Sequence, residues 1–197
     1  MAFVGDVAGS IVRVAHEGGH MLAALRTGHR VTGFELEEGD AETGSGVTFY
    51  NDGPVGWLSE IFNKYATPPL AGLGGAYVIA GGNSWGVLVV GVVLLLAVLL
   101  IPEINPFALA VTGLLLAGIL WALIAGVPGV QAALAVGLVW LMLIGGLESV
   151  LVRNIKSDDV HKLTEYTWIP RVVWFAAWPA IAVVSLWVGG RVLLRHA

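Results

Sequence analysis

The sequence predicts an all-α polytopic membrane protein of about six transmembrane helices, with a small β-hairpin in the first cytoplasmic loop. Three observations carry that expectation. Of 197 residues, 57% are apolar and only 12% charged, and the mean hydropathy is +0.83, outside the range of soluble domains. Several windows of about 18 or more residues hold almost no charge, the length a helix needs to cross roughly 30 Å of hydrocarbon. Clusters of Gly, Pro and Asn separate those windows. The length suits one domain, so residues 1–197 are read as a single integral membrane unit.

Taken in order, the first helix is expected at 3–26. The loop that follows, VTGFELEEGDAETGSGVTFYNDG, alternates β-branched and aromatic residues with polar ones around an acidic, Gly-rich turn. That pattern predicts a hairpin of strands 31–38 and 46–51. The run 68–101 would be about 51 Å long as one helix, too long for an ordinary span, and Gly81, Gly82 and Asn83 offer a break. Helices at 68–82 and 84–101 result, the first of them short and re-entrant or spanning. Pro102 and Pro106 delimit the next helix at 106–125, Val127-Pro128-Gly129 the next at 129–152, and Ile169-Pro170 the last at 170–194. Having Asp6 and no basic n-region, the first helix is not expected to be a cleaved signal.

Arg and Lys bias loops toward the cytoplasm. Arg26, Arg30 and Lys64 lie in or beside the first long loop, and Arg153, Lys156 and Lys162 in the second. With both loops cytoplasmic, the chain crosses an even number of times between residues 68 and 152, which four helices satisfy. Arg191 and Arg195 then fall on the far side. Tryptophans at 57, 85, 121, 168 and 174 fall near predicted helix ends, as an aromatic belt requires. Gly72, Gly75, Ala76, Gly113, Ala117, Gly145 and Gly146 are read as sites of close helix packing.

A net charge of −4 and a pI near 5.7 leave no basic footprint for nucleic acid. The chain has no cysteine, so His, Asp and Glu are the ligands left for any metal. Against that background the first helix contains His16-Glu17-Gly18-Gly19-His20, an H-E-x-x-H sequence. On a helix the histidines stand at i and i+4, one turn apart on one face, where two imidazoles reach one ion. Neutral imidazole suits zinc, and a catalytic zinc keeps three protein ligands and one open position. Such an ion lowers the pKa of its bound water to about 7, and the neighbouring Glu17 is placed to take and return the proton. A charge at the bilayer centre costs at least about 2.5–3.5 kcal/mol, which makes an ionisable cluster there a functional-site hypothesis by default. The bland reading is an ordinary packed helix in which Arg13 and Glu17, four apart, neutralise each other.

A third ligand is required. The two histidines lie about two turns before the cytoplasmic end of their helix, so a partner is sought at the same end of another. RNIKSDDVHKL, residues 153–163, follows the fifth helix and offers Asp158, Asp159 and His161. Ser157 with Asp158 and Asp159 is also good first-turn helix chemistry, one aspartate capping while the other binds metal. His29 reads as a solvated interface residue, His161 as solvated or as a partner to a ligand, and Glu148 as paired with Arg153 or snorkelling.

HEGGHMLAALRTGHRVTGFELEEGDAETGSGVT, followed after further helices by RNIKSDDVHKLTEYTWIPRVVWF, resembles the site-2 protease family of intramembrane zinc metalloproteases, specifically the compact bacterial members without a PDZ domain. The similarity covers most of the chain. It implies an enzyme of the cell membrane, its active site near the cytoplasmic side, that holds one Zn2+ per chain. Its substrates would be transmembrane segments of other proteins, including membrane-held regulators such as anti-sigma factors. His16 and His20 match the family's zinc ligands and Glu17 its catalytic glutamate. The compact members' Ser-Asp-Ala-like segment places the third ligand on Asp158, with Asp159 at the Ala position as the second choice. The larger family's Leu-Asp-Gly motif is missing, and Asn154 is the candidate donor to a developing oxyanion. Phe34, Leu36, Val47 and Phe49 would line a strand edge that holds an unwound substrate. From another functional class, a metal-binding transporter or sensor would also place His and Asp at a helix interface.

Overall fold

The computed structural model describes residues 31–36, 46–50, 56–101, 103–151 and 157–196. Within them the chain forms strands β1 (Val31–Leu36) and β2 (Gly46–Tyr50), helices α1 (Gly56–Ala80) and α2 (Ser84–Leu99), and a short strand β3 (Glu103–Ile104). Helices α3 (Pro106–Ala125), α4 (Pro128–Leu151), α5 (Ser157–Thr167) and α6 (Arg171–His196) follow. The helix expected at 3–26 lies outside the described residues.

Local chemistry accounts for most boundaries. Gly82, at φ +78, makes the turn between α1 and α2, a conformation glycine adopts without a Cβ penalty. Asn83 then caps α2, its side chain accepting from the Gly86 N–H at 2.9 Å. Asn105 caps α3 in the same way at 2.8 Å from the Ala108 N–H, with Pro106 in the first turn, where its missing N–H costs nothing. The end of α3 is held from the next helix: Gln131 Nε2 on α4 donates to the carbonyls of Ala122 at 3.0 Å and Leu123 at 3.3 Å. Ala122 also accepts from the Gly126 N–H at 3.1 Å, whereas the Leu123 carbonyl is of the kind a helix end otherwise leaves unpaired.

The largest departure from the sequence reading is α1. It begins at Gly56, not 68, and runs through Pro68 and Pro69 without ending. A proline inside a helix removes one backbone hydrogen bond and crowds the preceding turn, yet α1 continues through both. Both prolines are fully buried in the bundle, against Gly146 of α4. A Cβ built at Gly146 would stand 2.6 Å from Pro69 Cδ and 2.8 Å from its nitrogen. Neighbouring helices re-shield backbone opened by proline in this manner.

Helix α4 is the centre of the bundle, touching α1, α6, α2 and α3. Its approach to α1 is set by small residues. A Cβ at Gly72 would meet Leu143 at 2.8 Å and one at Gly75 would meet Val139 at 2.6 Å. From α6, Gly189 lies on Leu143 and Gly190 on Trp140, two glycines the sequence reading passed over. Leu143 is fully buried as a result, in a cluster with Ala76, Val139 and Leu193. Conversely, Gly113 has nothing near it and Ala117 is exposed, so these small residues of α3 make no close approach. A second cluster of Leu88, Leu95, Val98, Ile101, Ala108, Leu116, Ile119 and Ala135 joins α2 and α3 to α4.

Among the described residues, three helices, α3, α4 and α6, are long and apolar enough to cross a bilayer. Helix α2 is apolar but spans only about 24 Å. Between residues 68 and 152 lie the second half of α1 and all of α2, α3 and α4, of which α3 and α4 have the length and hydropathy of a span.

Strands β1 and β2 pair antiparallel, with Phe34 opposite Thr48 and Leu36 opposite Gly46, and an irregularity between Val31 and Gly33. The turn joining them lies outside the described residues. Strand β3, which the sequence reading did not anticipate, pairs parallel to β1 with Gly33 opposite Glu103, giving the order β2-β1-β3. Helix α3, which starts directly after β3, also touches β1, so the sheet sits at the end of the bundle where α3 begins and α4 finishes.

Gly146→Ala should destabilise the bundle by about 1–3 kcal/mol, because the added methyl meets a proline ring with no rotamer to yield. Gly113→Ala, in open space, should be neutral or gain up to about 1 kcal/mol. Reversible unfolding of both variants in detergent micelles checks the contrast, and equal stabilities would contradict the packing described.

Candidate functional site

The residues singled out for chemistry divide into two groups. His16, Glu17 and His20 lie outside the described residues, as do His29, Arg153 and Asn154. Among the described residues no three or more of His, Cys, Asp and Glu gather as a metal-holding group. The second half of the candidate site is Asp158 and Asp159, and it falls on a definite element: they occupy the first turn of α5, directly after Ser157.

Helix α5 was missing from the expected helices, although Ser157-Asp158-Asp159 had signalled a helix start. It is eleven residues long, too short to be stable alone, and depends on docking. Val160 and Leu163, one turn apart, are both buried. Leu163 enters a cluster with Tyr65 from α1, Val150 from α4, and Trp178 and Ala182 from α6. Tyr65 meets Trp178 edge-on with centroids 5.7 Å apart, and Trp178 meets Trp174 at 4.8 Å. Trp174 is thus a packing residue, not a member of an aromatic belt. Trp85, Trp121 and Trp168 remain exposed near helix ends, as expected.

A tight elbow joins α5 to α6. Thr164 and Thr167 return their hydroxyls to the carbonyls of Val160 and Leu163, and the Trp168 N–H bonds the Thr164 carbonyl at 3.0 Å. Trp168 itself adopts φ 60, an uncommon conformation for a bulky residue that surrounding structure must hold in place. Pro170 follows, and α6 starts at Arg171.

His161 lies on the exposed side of α5 with both ring nitrogens engaged. An Arg171 Nη2 contacts Nδ1, and Glu165 Oε1 stands 3.2 Å from Nε2. A guanidinium only donates, so Nδ1 accepts and the neutral ring carries its proton on Nε2, facing the carboxylate. Neither nitrogen is left for a metal in this arrangement. Of the three residues offered by RNIKSDDVHKL, the two aspartates therefore remain as ligand candidates. Glu148 is half-buried on α4, one residue before Ser149, whose hydroxyl donates to the Gly145 carbonyl at 2.8 Å.

By residue type alone, two histidines four positions apart in the sequence and one carboxylate are the kind of nitrogen and oxygen donors that three-ligand catalytic zinc sites use. The sheet and α5 both stand at the bundle end where α4 finishes, so this fold gathers the strands and the aspartates at one end.

No curated protein and no solved structure matches the chain. A family model described as Peptidase M50B-like matches residues 3–189, a span that includes HEGGH, all three strands and α5. With nearly the whole length matched, and with the apolar helices of a membrane protein, the chain belongs to the Peptidase M50B-like family, in keeping with its resemblance to the site-2 proteases.

Proposed function

We propose that the protein is an intramembrane zinc metalloprotease that hydrolyses peptide bonds in the transmembrane segments of other membrane proteins. The observation that carries this reading is the family match over residues 3–189, which takes in both His16-Glu17-Gly18-Gly19-His20 and the Asp158-Asp159 turn. His16, His20 and Asp158 would hold the ion, with Asp159 the other candidate for the third position. Zinc, when bound, supplies a Lewis acid that polarises the scissile carbonyl and acidifies water. Glu17 takes a proton from the water that adds to the carbonyl carbon, then returns it to the nitrogen as the C–N bond breaks. Asn154 is placed in sequence to donate to the developing oxyanion.

Peptide bonds in a helix are shielded by their own hydrogen bonds, so a substrate helix must unwind before attack. In the order β2-β1-β3, β2 is the outer strand on one side, and an unwound substrate would add to it through main-chain hydrogen bonds. The substrates that suit such a site are single-span membrane proteins, among them membrane-held regulators of the anti-sigma type. The Arg and Lys residues flanking the two long loops support a multi-pass arrangement in the cell membrane with the site toward the cytoplasm.

Metal analysis of purified protein tests the site directly. Wild type should hold one zinc per chain, His16→Ala and Asp158→Ala should lose it, and Asp159→Ala should keep it. Full zinc in His16→Ala would sink the assignment, and loss in Asp159→Ala alone would move the third ligand by one residue. Glu17→Gln should retain zinc while cleavage of a reconstituted transmembrane substrate falls by at least about 100-fold. Sustained zinc flux through Glu17→Gln vesicles would instead favour transport.

Replacing Gly46 and Val47 together with proline removes two main-chain donors from β2. Cleavage should drop while zinc content stays at the wild-type level, and unchanged cleavage would eliminate strand addition at this edge.

A further inference from the structure

Helix α5 carries the proposed third ligand. Among its described side chains the buried ones, Val160 and Leu163, lie on one face, and contacts on a single face leave a helix free to roll about its axis. A roll of about 20° moves the outer atoms of a helix, at a radius of about 5–6 Å, through about 2 Å. Metal–ligand distances tolerate about 0.2 Å. Something on another face must therefore fix the roll if the first turn is to present a carboxylate to an ion.

The described residues supply such a contact at one place. His161 accepts from Arg171 at the start of α6 and faces Glu165 one turn further along α5. At 100° per residue, His161 lies about 100° from Val160 and 160° from Leu163 around the helix, so this clasp opposes the docked face. Asp158, His161 and Glu165 recur at i, i+3 and i+7, the spacing of a single helical face. The far end of the clasp is anchored, because Arg171 follows an elbow fixed by Trp168 in the left-handed region and by Pro170.

We propose that His161 is a positioning residue of the metal site: bridging Arg171 and Glu165, it sets the roll of α5 and hence where the first-turn aspartate stands. The proposal rests on the zinc-protease reading. A plain i, i+4 ion pair on a solvated face is worth little, and the significance of this one lies in geometry. The bridge requires an acceptor toward Arg171 and a donor toward Glu165 on one rigid side chain. Neutral imidazole provides both; alanine provides neither, and glutamine provides both through its amide.

Zinc affinity of the full-length protein in detergent, measured by competition with a chromophoric chelator, tests the role without reference to activity. His161→Ala and Arg171→Ala should each weaken zinc binding by about 10- to 100-fold, the range of losses when a ligand's support is removed. The double variant should be no weaker than either single one, and His161→Gln should recover most of the loss. With cobalt in place of zinc, the visible d–d bands of His161→Ala should shift or lose intensity. Near-ultraviolet circular dichroism of the Trp174 and Trp178 pair should be unchanged throughout. Wild-type zinc affinity with an unaltered cobalt spectrum in His161→Ala overturns the proposal. So does loss of the tryptophan signal along with the metal, which would make the residue merely structural. Wild-type protein that binds no zinc overturns the metalloprotease reading itself, and the positioning role with it.

Discussion

Everything at the working end of this molecule depends on how closely α1 approaches α4. Between two helices in lipid there is no water to expel, so association rests on dispersion and on the absence of side chains that would hold the backbones apart. Gly72, Gly75 and Gly146 supply that absence, facing Leu143, Val139 and Pro69 in turn. Leu143 then serves as a hub, since Gly189 brings α6 onto the same side chain. One turn beyond these contacts, Tyr65, Val150 and Trp178 converge from the three helices. The cleft that receives Leu163 is a consequence of that spacing. A wider α1–α4 gap would leave α5 with nothing to dock against.

The Pro68-Pro69 pair belongs to the same constraint. Two adjacent prolines forgo two helical hydrogen bonds and would ordinarily end a helix. Here they form the surface on which Gly146 rests, and their burial keeps lipid from the opened backbone. A flat, rigid ring is a better partner for a glycine than a flexible side chain would be, because no rotamer freedom is lost on contact. A residue type that commonly ends helices thus acts here as a packing plate.

That contrast explains what the residues reveal in isolation. Apolar runs bounded by Gly82-Asn83, Asn105-Pro106 and Val127-Pro128 predict α2, α3 and α4 closely, since capping and turn chemistry are local and need no partner. The β1 and β2 segments are legible for a similar reason, through period-two alternation. The start of α1 is not, because the choice between breaking and continuing at Pro69 is made by Gly146, 77 positions away. Strand β3 is too short for any periodicity and exists only because β1 lies beside it. Helix α5 announces its start through Ser157-Asp158-Asp159, but a polar segment of three turns gives no apolar window, and its stability comes from a cleft made by other elements. Of the candidate site, the proposed ligands rest on motif chemistry in the sequence. The bridge from His161 to Arg171 is not, since it depends on an elbow at Trp168 that the residue types do not foretell.

A division of labour follows from the cost of charge. Helices α2, α3 and α6 contain no Asp or Glu, as spans facing lipid require. A metal site nevertheless needs a carboxylate, and placing one within such a span would oppose its insertion. A short polar helix at the bundle end avoids that conflict: it carries Asp158 and Asp159 in its first turn, and among its described side chains Val160 and Leu163 are buried. The same economy of contact leaves α5 governed by whatever fixes its second face. In the proposed site, the carboxylate's placement would then be decided less by the apolar bundle than by the polar elbow between α5 and α6, where His161 meets Arg171.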